Sequence, residues 1–373
     1  MNNRIKPNTN AMSTPHFETL TVKYVNPEAA GSVAVTFDVP PAARAAFQFE
    51  PGQYLTLRAM VNGQDVRRSY SISSARSRLN TAGELEIGIR QVSGGLFSNW
   101  AATSLKAGDT LSVMSPEGRF TVRKQRAIHR VGFAAGSGIT PILSIVASTL
   151  EEQPESKFTL VLGNRRMSSV MFNEALQDLK DRYLDRLTLI HILSSQAQEV
   201  DLLQGRIDAD KVRAIIAALL PVASMDEVFI CGPEGMIDST ERALVEAGVP
   251  ASRVYTERFA SSTRVTQASA GAAQTGAQTG RQTAITIVVD GKRHEITMGS
   301  HERILDVALN AGLDLPFSCR GGVCCTCRVK VMEGTVAMDK NFALEPWEMQ
   351  QGFVLSCQAH PTSERVVVSY DER

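Results

Sequence analysis

Apolar positions change their rhythm along the chain, and each change marks a different kind of fold. From Phe17 to about Val122 they come in short runs, at residues 20–25, 33–37, 54–57 and 85–89, broken by turn residues. Short β-like runs at such close spacing predict a small antiparallel barrel, and Pro51-Gly52 is a turn signal ahead of the third run. From Ala127 to Phe259 the runs become continuous, at residues 131–135, 158–162, 187–192, 228–231 and 254–256, with helix-length segments between them. That alternation predicts a parallel sheet with helices on both faces.

Residues 261–282 break the pattern. They contain a duplicated Ala-Gln-Thr-Gly at 273–276 and 277–280 among other small residues, and too little apolar surface to offset the entropy of ordering. A flexible linker of that length has a root-mean-square span of about 25 Å. Beyond it, runs at 285–289 and 294–297 flank Asp290-Gly291, a hairpin signal. A helix is expected next, capped by Ser300 and ended by Gly312, with Ile304, Val307, Ala308 and Ala311 on one stripe. The expected division is a flexible tail at 1–15, a barrel at 16–124, an α/β domain at 125–260, the linker at 261–282 and an α+β domain at 283–373.

Composition adds a few exclusions. The 373 residues carry 39 Lys+Arg against 39 Asp+Glu, so no polyanion partner is indicated. No stretch approaches the roughly 18 consecutive apolar residues of a membrane-spanning helix. The first fifteen residues are polar and lack the apolar core of a secretory signal, so the expectation is a cytoplasmic protein.

Five of the six cysteines crowd into the last domain, at 319, 324, 325, 327 and 357. Zinc sites usually pair two C-x2-C knuckles, and only one such pair is present; disulfides suit neither a reducing compartment nor this crowding. Cys319, Cys324 and Cys327 have the C-x4-C-x2-C spacing of plant-type [2Fe–2S] ferredoxins, and Cys357 supplies the distant fourth thiolate. Gly321 and Gly322 allow the tight loop that this spacing needs. Cys325 is surplus; it is expected to face away from the iron, with an exchange of roles with Cys324 left open. The order of hairpin, helix and cluster loop fits the β-grasp fold of those ferredoxins. Residues 283–373 hold 9 basic and 12 acidic side chains, a charge of −3 that favours docking of an electron acceptor.

Two further groups of residues carry a resemblance. Arg68-Ser69-Tyr70-Ser71, following Phe49-Glu50-Pro51-Gly52-Gln53-Tyr54, resembles the flavin-binding signature of the ferredoxin–NADP reductase superfamily. A guanidinium at Arg68 suits a pyrophosphate and an aromatic ring at Tyr70 suits a flavin face. The resemblance places Ser71 beside the reactive flavin edge. Gly94-Gly95-Leu96-Phe97-Ser98 should open a helix whose free N–H groups offer a second contact to the FAD pyrophosphate, while Trp100 is expected in the core. At the strand ends of the α/β domain, Gly136-Ser137-Gly138-Ile139-Thr140-Pro141 looks like the nicotinamide loop of the same superfamily, although it is not G-x-G-x-x-G. Asn164, Arg165 and Arg166 follow the second strand, where cations favour NADPH over NADH. Cys231-Gly232-Pro233 resembles the segment that places a cysteine near the nicotinamide. Glu257 and Phe259, by the same resemblance, reach back to the flavin.

Residues 17–373 together resemble the reductase components of bacterial multicomponent oxygenases. Within that family, Arg67-Arg68-Ser69-Tyr70-Ser71, Gly94 to Ser98, Cys319 to Cys324 and Asn341-Phe342-Ala343-Leu344-Glu345-Pro346 are similar to the reductase subunits of phenylacetyl-coenzyme A ring-epoxidising monooxygenases. The resemblance implies FAD, NADPH and a [2Fe–2S] cluster as cofactors, a di-iron oxygenase as partner, and Ser71, Cys231 and Glu257 at the reacting centre. Reductases of ring-hydroxylating or steroid-hydroxylating systems would share every motif. A redox sensor that binds the same cofactors without turnover is the reading from another class. The aromatic substrate would be bound by the partner, so no residue of this chain names it.

Overall fold

A computed structural model describes residues 16–29, 31–123, 128–259 and 282–372. The expected tail at 1–15, and all but the last residue of the expected linker, lie outside the described residues. The chain divides into two compact units, one formed by residues 18–259 and the other containing residues 282–372.

The first unit begins with the barrel. Strands β1 (Phe17–Pro27), β2 (Ser32–Asp38), β3 (Tyr54–Val61), β4 (Gln64–Ser71), β5 (Glu84–Arg90) and β6 (Thr110–Met114) form one sheet in the order β4-β3-β6-β1-β2-β5. Val33, Val35 and Phe37 face Ile89, Ile87 and Leu85 across an antiparallel ladder. A single bridge between Ile72, just past β4, and Ile87 on β5 brings the two edges of the sheet together at one point. Helix α1 (Arg76–Ala82) precedes β5, and α2 (Leu96–Ser104) follows it and buries Phe97 and Ala101.

The second half of this unit is a five-stranded parallel sheet. Strands β7 (His129–Ala135), β8 (Lys157–Asn164), β9 (Leu187–Leu193), β10 (Glu227–Cys231) and β11 (Val254–Glu257) lie in the order β11-β10-β7-β8-β9. Helices α3 (Ile139–Glu152), α4 (Asn173–Arg182), α5 (Ala209–Ala218) and α6 (Glu234–Glu246) link them. Helix α3 is buried over all but its last two residues because it is sandwiched between this sheet and the barrel. Its serines hold the barrel directly: Ser144 Oγ donates to the Ser74 carbonyl at 2.7 Å, and the Arg76 N–H donates to Ser148 Oγ at 3.0 Å.

In the second unit, β12 (Gln282–Val289) and β13 (Lys292–Gly299) form the expected hairpin. Its two-residue turn places Asp290 at φ 51° and Gly291 at φ 70°, the left-handed pair that a tight hairpin needs. The sheet order is β13-β12-β18-β14-β16, built with β14 (Arg328–Glu333), β16 (Phe353–Leu355) and β18 (Arg365–Ser369); β15 (Val336–Met338) pairs with β17 (Ala359–Pro361). Helices α7 (Ile304–Asn310) and α8 (Pro346–Gln350) complete it. The expected Ser300 cap is not the one formed. The helix begins at Ile304 with Arg303 at its N-cap, because Glu302 takes the Gly299 N–H at 2.6 Å and closes a separate turn first. Gly312, at φ 84°, ends the helix as expected. No helix among the described residues is long and apolar enough to cross a membrane.

Candidate functional site

The end of β4 and the end of β11 meet where barrel and parallel sheet join. Ser71 Oγ donates to Glu257 Oε2 over 3.3 Å. Glu257 lies beside Cys231 in the β10–β11 register. Burial pushes the Glu257 carboxyl up to about 8, with the Ser71 hydroxyl pulling the other way. Burial, and after it the neighbouring Glu257, raises the Cys231 thiol. Both groups are therefore proton-carrying and uncharged at neutral pH, in a site where an anion would be poorly solvated. Phe259 lies two residues beyond, 42% exposed, and Arg258 is tied to Asp238 at 2.6 Å.

Around the barrel end, Tyr70 sits 5.6 Å from Phe97, ring centre to ring centre, and Phe97 meets Trp100 edge-on at 5.4 Å. Burial holds the Tyr70 phenol in its neutral form. Trp100 packs against the barrel core, as expected. Gly95 is the N-cap of α2, and a Cβ on it would lie 2.6 Å from Ser98 Oγ. Ser98 is already committed within the loop, accepting the Val92 N–H at 3.2 Å, while Gly94, at φ 71°, borders open space. Arg68 donates to the Arg67 carbonyl at 2.7 Å, and Ser69 faces Thr56 at 3.3 Å.

On the parallel sheet, the turn after β7 runs from Gly136 into α3. Gly138 is obligatory there, since a Cβ would fall 2.1 Å from the Cys231 carbonyl; the two strand ends touch backbone to backbone. A Cβ on Gly232 would lie 2.7 Å from Met236 Cε and 3.3 Å from Ala135 Cβ, Pro233 caps α6, and Thr140 Oγ1 donates to the Ser137 carbonyl at 3.0 Å. Pro141 is buried in the first turn of α3. At the end of β8, the Asn164 amide Nδ2 is buried without a hydrogen-bond partner among the described residues. Arg165 and Arg166 are exposed and form no ion pair among the described residues. Sequence reasoning missed Arg90. It ends β5, and its Nη1 stands 2.6 Å from where a Gly136 Cβ would be, so a barrel arginine overhangs the turn after β7. An exposed arginine at a strand end has no motif to reveal it.

In the second unit the four expected thiols close up in two pairs, Cys319 with Cys324 and Cys327 with Cys357. Cys319 accepts a hydrogen bond from the Cys324 thiol, which draws it down to about 6, and Cys357 is lowered in the same way by Cys327. Backbone N–H groups of Gly321, Val323 and Cys324 point at Cys319, Gly321 at 3.3 Å, and that of Gly322 points at Cys357. Among the described residues no three or more His, Cys, Asp or Glu side chains are arranged to hold a single ion. The pairwise arrangement, with N–H groups aimed at sulfur, fits a binuclear cluster that takes two thiolates on each iron. Cys325, at φ 51°, donates its S–H to the Ala343 carbonyl at 3.0 Å and so turns away from both pairs. Arg320 takes the other non-glycine left-handed position in this loop.

Residues 29–122 match an oxidoreductase FAD-binding domain, residues 133–242 an oxidoreductase NAD-binding domain, and residues 287–362 a 2Fe-2S iron-sulfur cluster binding domain. The chain is 44% identical to one of the subunits of the 1,2-phenylacetyl-CoA epoxidase of Escherichia coli K12, over 96% of this chain and 98% of that one. It is 34% identical to the ferredoxin reductase component of 3-ketosteroid-9-alpha-monooxygenase of Rhodococcus rhodochrous, over 94% and 96%. The solved structure of phthalate dioxygenase reductase superposes with a TM-score of 0.58 at 21% identity, covering 95% of this chain and 98% of that one; it shares the fold.

Proposed function

The chain belongs to the family of oxygenase reductase components that join FAD-, NAD- and [2Fe–2S]-binding domains, and from that premise we propose that it draws electrons from NADPH and delivers them to a di-iron oxygenase acting on phenylacetyl-coenzyme A. It is an electron-transfer reductase, and its partner is an oxygenase component. The observation that carries the finer reading is the 44% identity over nearly the full length of both chains.

When bound, FAD supplies the exchange between two-electron hydride and one-electron chemistry. The residues do the rest. Tyr70 offers an aromatic wall and Arg68 a guanidinium for the FAD pyrophosphate. The Gly136–Gly138 turn, with Arg90 over it, lets a dinucleotide backbone approach closely. Asn164 offers an amide donor unused among the described residues, and Arg165 and Arg166 supply positive charge, unpaired among those residues, that distinguishes a 2′-phosphate from a hydroxyl. Cys231 and Glu257, uncharged, exclude water and negative charge from the point of hydride transfer, and Ser71 fixes the carboxyl there. Cys319, Cys324, Cys327 and Cys357 would hold the cluster. We take the domains to span 16–124, 125–260 and 283–373.

Reconstitution tests the partner. The purified reductase, NADPH and a phenylacetyl-coenzyme A epoxidase oxygenase component should turn over phenylacetyl-coenzyme A. Turnover with a ketosteroid oxygenase and none with phenylacetyl-coenzyme A would replace this reading with the steroid one.

A further inference from the structure

The cluster loop contains a polar side chain that the four-cysteine motif does not include. Gln358, directly after Cys357, is 2% exposed. Its Nε2 donates to the Arg320 carbonyl at 2.9 Å and to the Cys357 carbonyl at 2.8 Å, and lies 3.6 Å from Cys357 Sγ. A single amide therefore links the Cys319–Cys327 loop to the turn between β16 and β17 that brings the fourth thiolate. The reach is tight, since a Cβ on Gly322 would meet Gln358 Cγ at 3.3 Å and the Lys340 carbonyl at 3.0 Å. The carbonyl it holds belongs to Arg320, whose φ of 51° is unfavourable for a residue with a Cβ and needs external support.

Resting on the cluster assignment above, we propose that Gln358 is a positioning residue that sets both the reduction potential and the retention of the [2Fe–2S] cluster. The two amide hydrogens serve the Arg320 and Cys357 carbonyls, and the Cys357 sulfur shares one of them at longer range; an N–H shared with a ligand sulfur stabilises the form carrying the extra electron, so it raises the potential. The same amide closes the loop over the cluster and slows its loss, as partners of metal ligands generally do.

The test uses the full-length protein with flavin and cluster bound. Gln358→Leu keeps the volume and removes the donor. Its reduced-to-oxidised equilibrium against a fixed mediator should shift about tenfold toward oxidised, about 59 mV for one electron. Bleaching of the cluster band by a chelator should accelerate about tenfold, while NADPH bleaches the flavin at the parent rate. Gln358→Asn draws the amide back by one methylene, and should hold the cluster at a potential below the parent's. Parent-like potential and chelator resistance in the leucine variant would overturn the proposal. Should that variant bind no cluster, a parent-like potential in the asparagine variant would do the same. Absence of any cluster from the parent protein would instead sink the cluster assignment itself.

Discussion

Ser71 and Glu257 stand 186 residues apart in sequence and meet at 3.3 Å, Ser71 Oγ donating to Glu257 Oε2 across the joint between barrel and parallel sheet. Because Glu257 is pushed up to about 8 by burial, it holds its proton at neutral pH in the folded protein and loses it in the unfolded chain. The folded state then binds more protons than the unfolded one from the ordinary carboxyl value of about 4.5 up to about 8, so stability falls as pH rises through that window. The loss amounts to about 5 kcal/mol at most. Denaturant titrations from pH 5 to 9 should show this decline, and Glu257→Gln should flatten it. The rate of flavin reduction by NADPH should likewise change near pH 8 in the parent and lose that step in the variant.

Arg130 and Glu227 form an ion pair at 2.9 Å with neither side chain exposed, and Gln153 completes it with a 2.7 Å bond to Arg130. Removing one partner strands the other charge inside the protein. Glu227→Ala should cost about 3–5 kcal/mol, and the double variant Arg130→Met with Glu227→Leu should recover most of it. Thermal unfolding of the three proteins measures both numbers.

Arg165 and Arg166 meet no carboxylate in the described residues, so their charge is available to a ligand. Replacing both by alanine should lower kcat/KM for NADPH about 10- to 100-fold, the size expected for one or two charge-assisted contacts, and leave the value for NADH nearly unchanged. Steady-state ferricyanide reduction with each nucleotide makes the comparison. An equal loss with both would assign the arginines to something other than the 2′-phosphate.

Cys324 and Cys325 are adjacent, and only their surroundings separate them. The Cys325 thiol donates to Ala343 while Cys324 faces Cys319. Cys325→Ser should therefore retain the cluster spectrum, and Cys324→Ser should abolish it without affecting NADPH-dependent ferricyanide reduction through the flavin. Absorbance and iron content decide which cysteine is the ligand.

Local chemistry made the elements legible and long-range contact did not. Asp290-Gly291 announced its hairpin because only a few residues tolerate that backbone, and the cysteine spacing announced its loop for a similar reason. Ser300 misled because an N-cap signal reports a competent side chain, not the turn that Glu302 closes in front of it. Arg90 and Gln358 were invisible in sequence. Each acts through a carbonyl or a turn brought close only by tertiary folding, Gln358 on Arg320 across 38 residues. Ser144 and Ser148 bind helix α3 to the barrel through partners at residues 74 and 76 that only tertiary folding brings to them.

The relay itself is tested most directly by an anaerobic titration with NADPH, followed by absorbance for flavin and cluster and by electron paramagnetic resonance for the reduced cluster. The account predicts that both cofactors bleach and that about three electrons enter each chain, two for the flavin and one for the cluster. A flavin that bleaches while the cluster stays oxidised would contradict it.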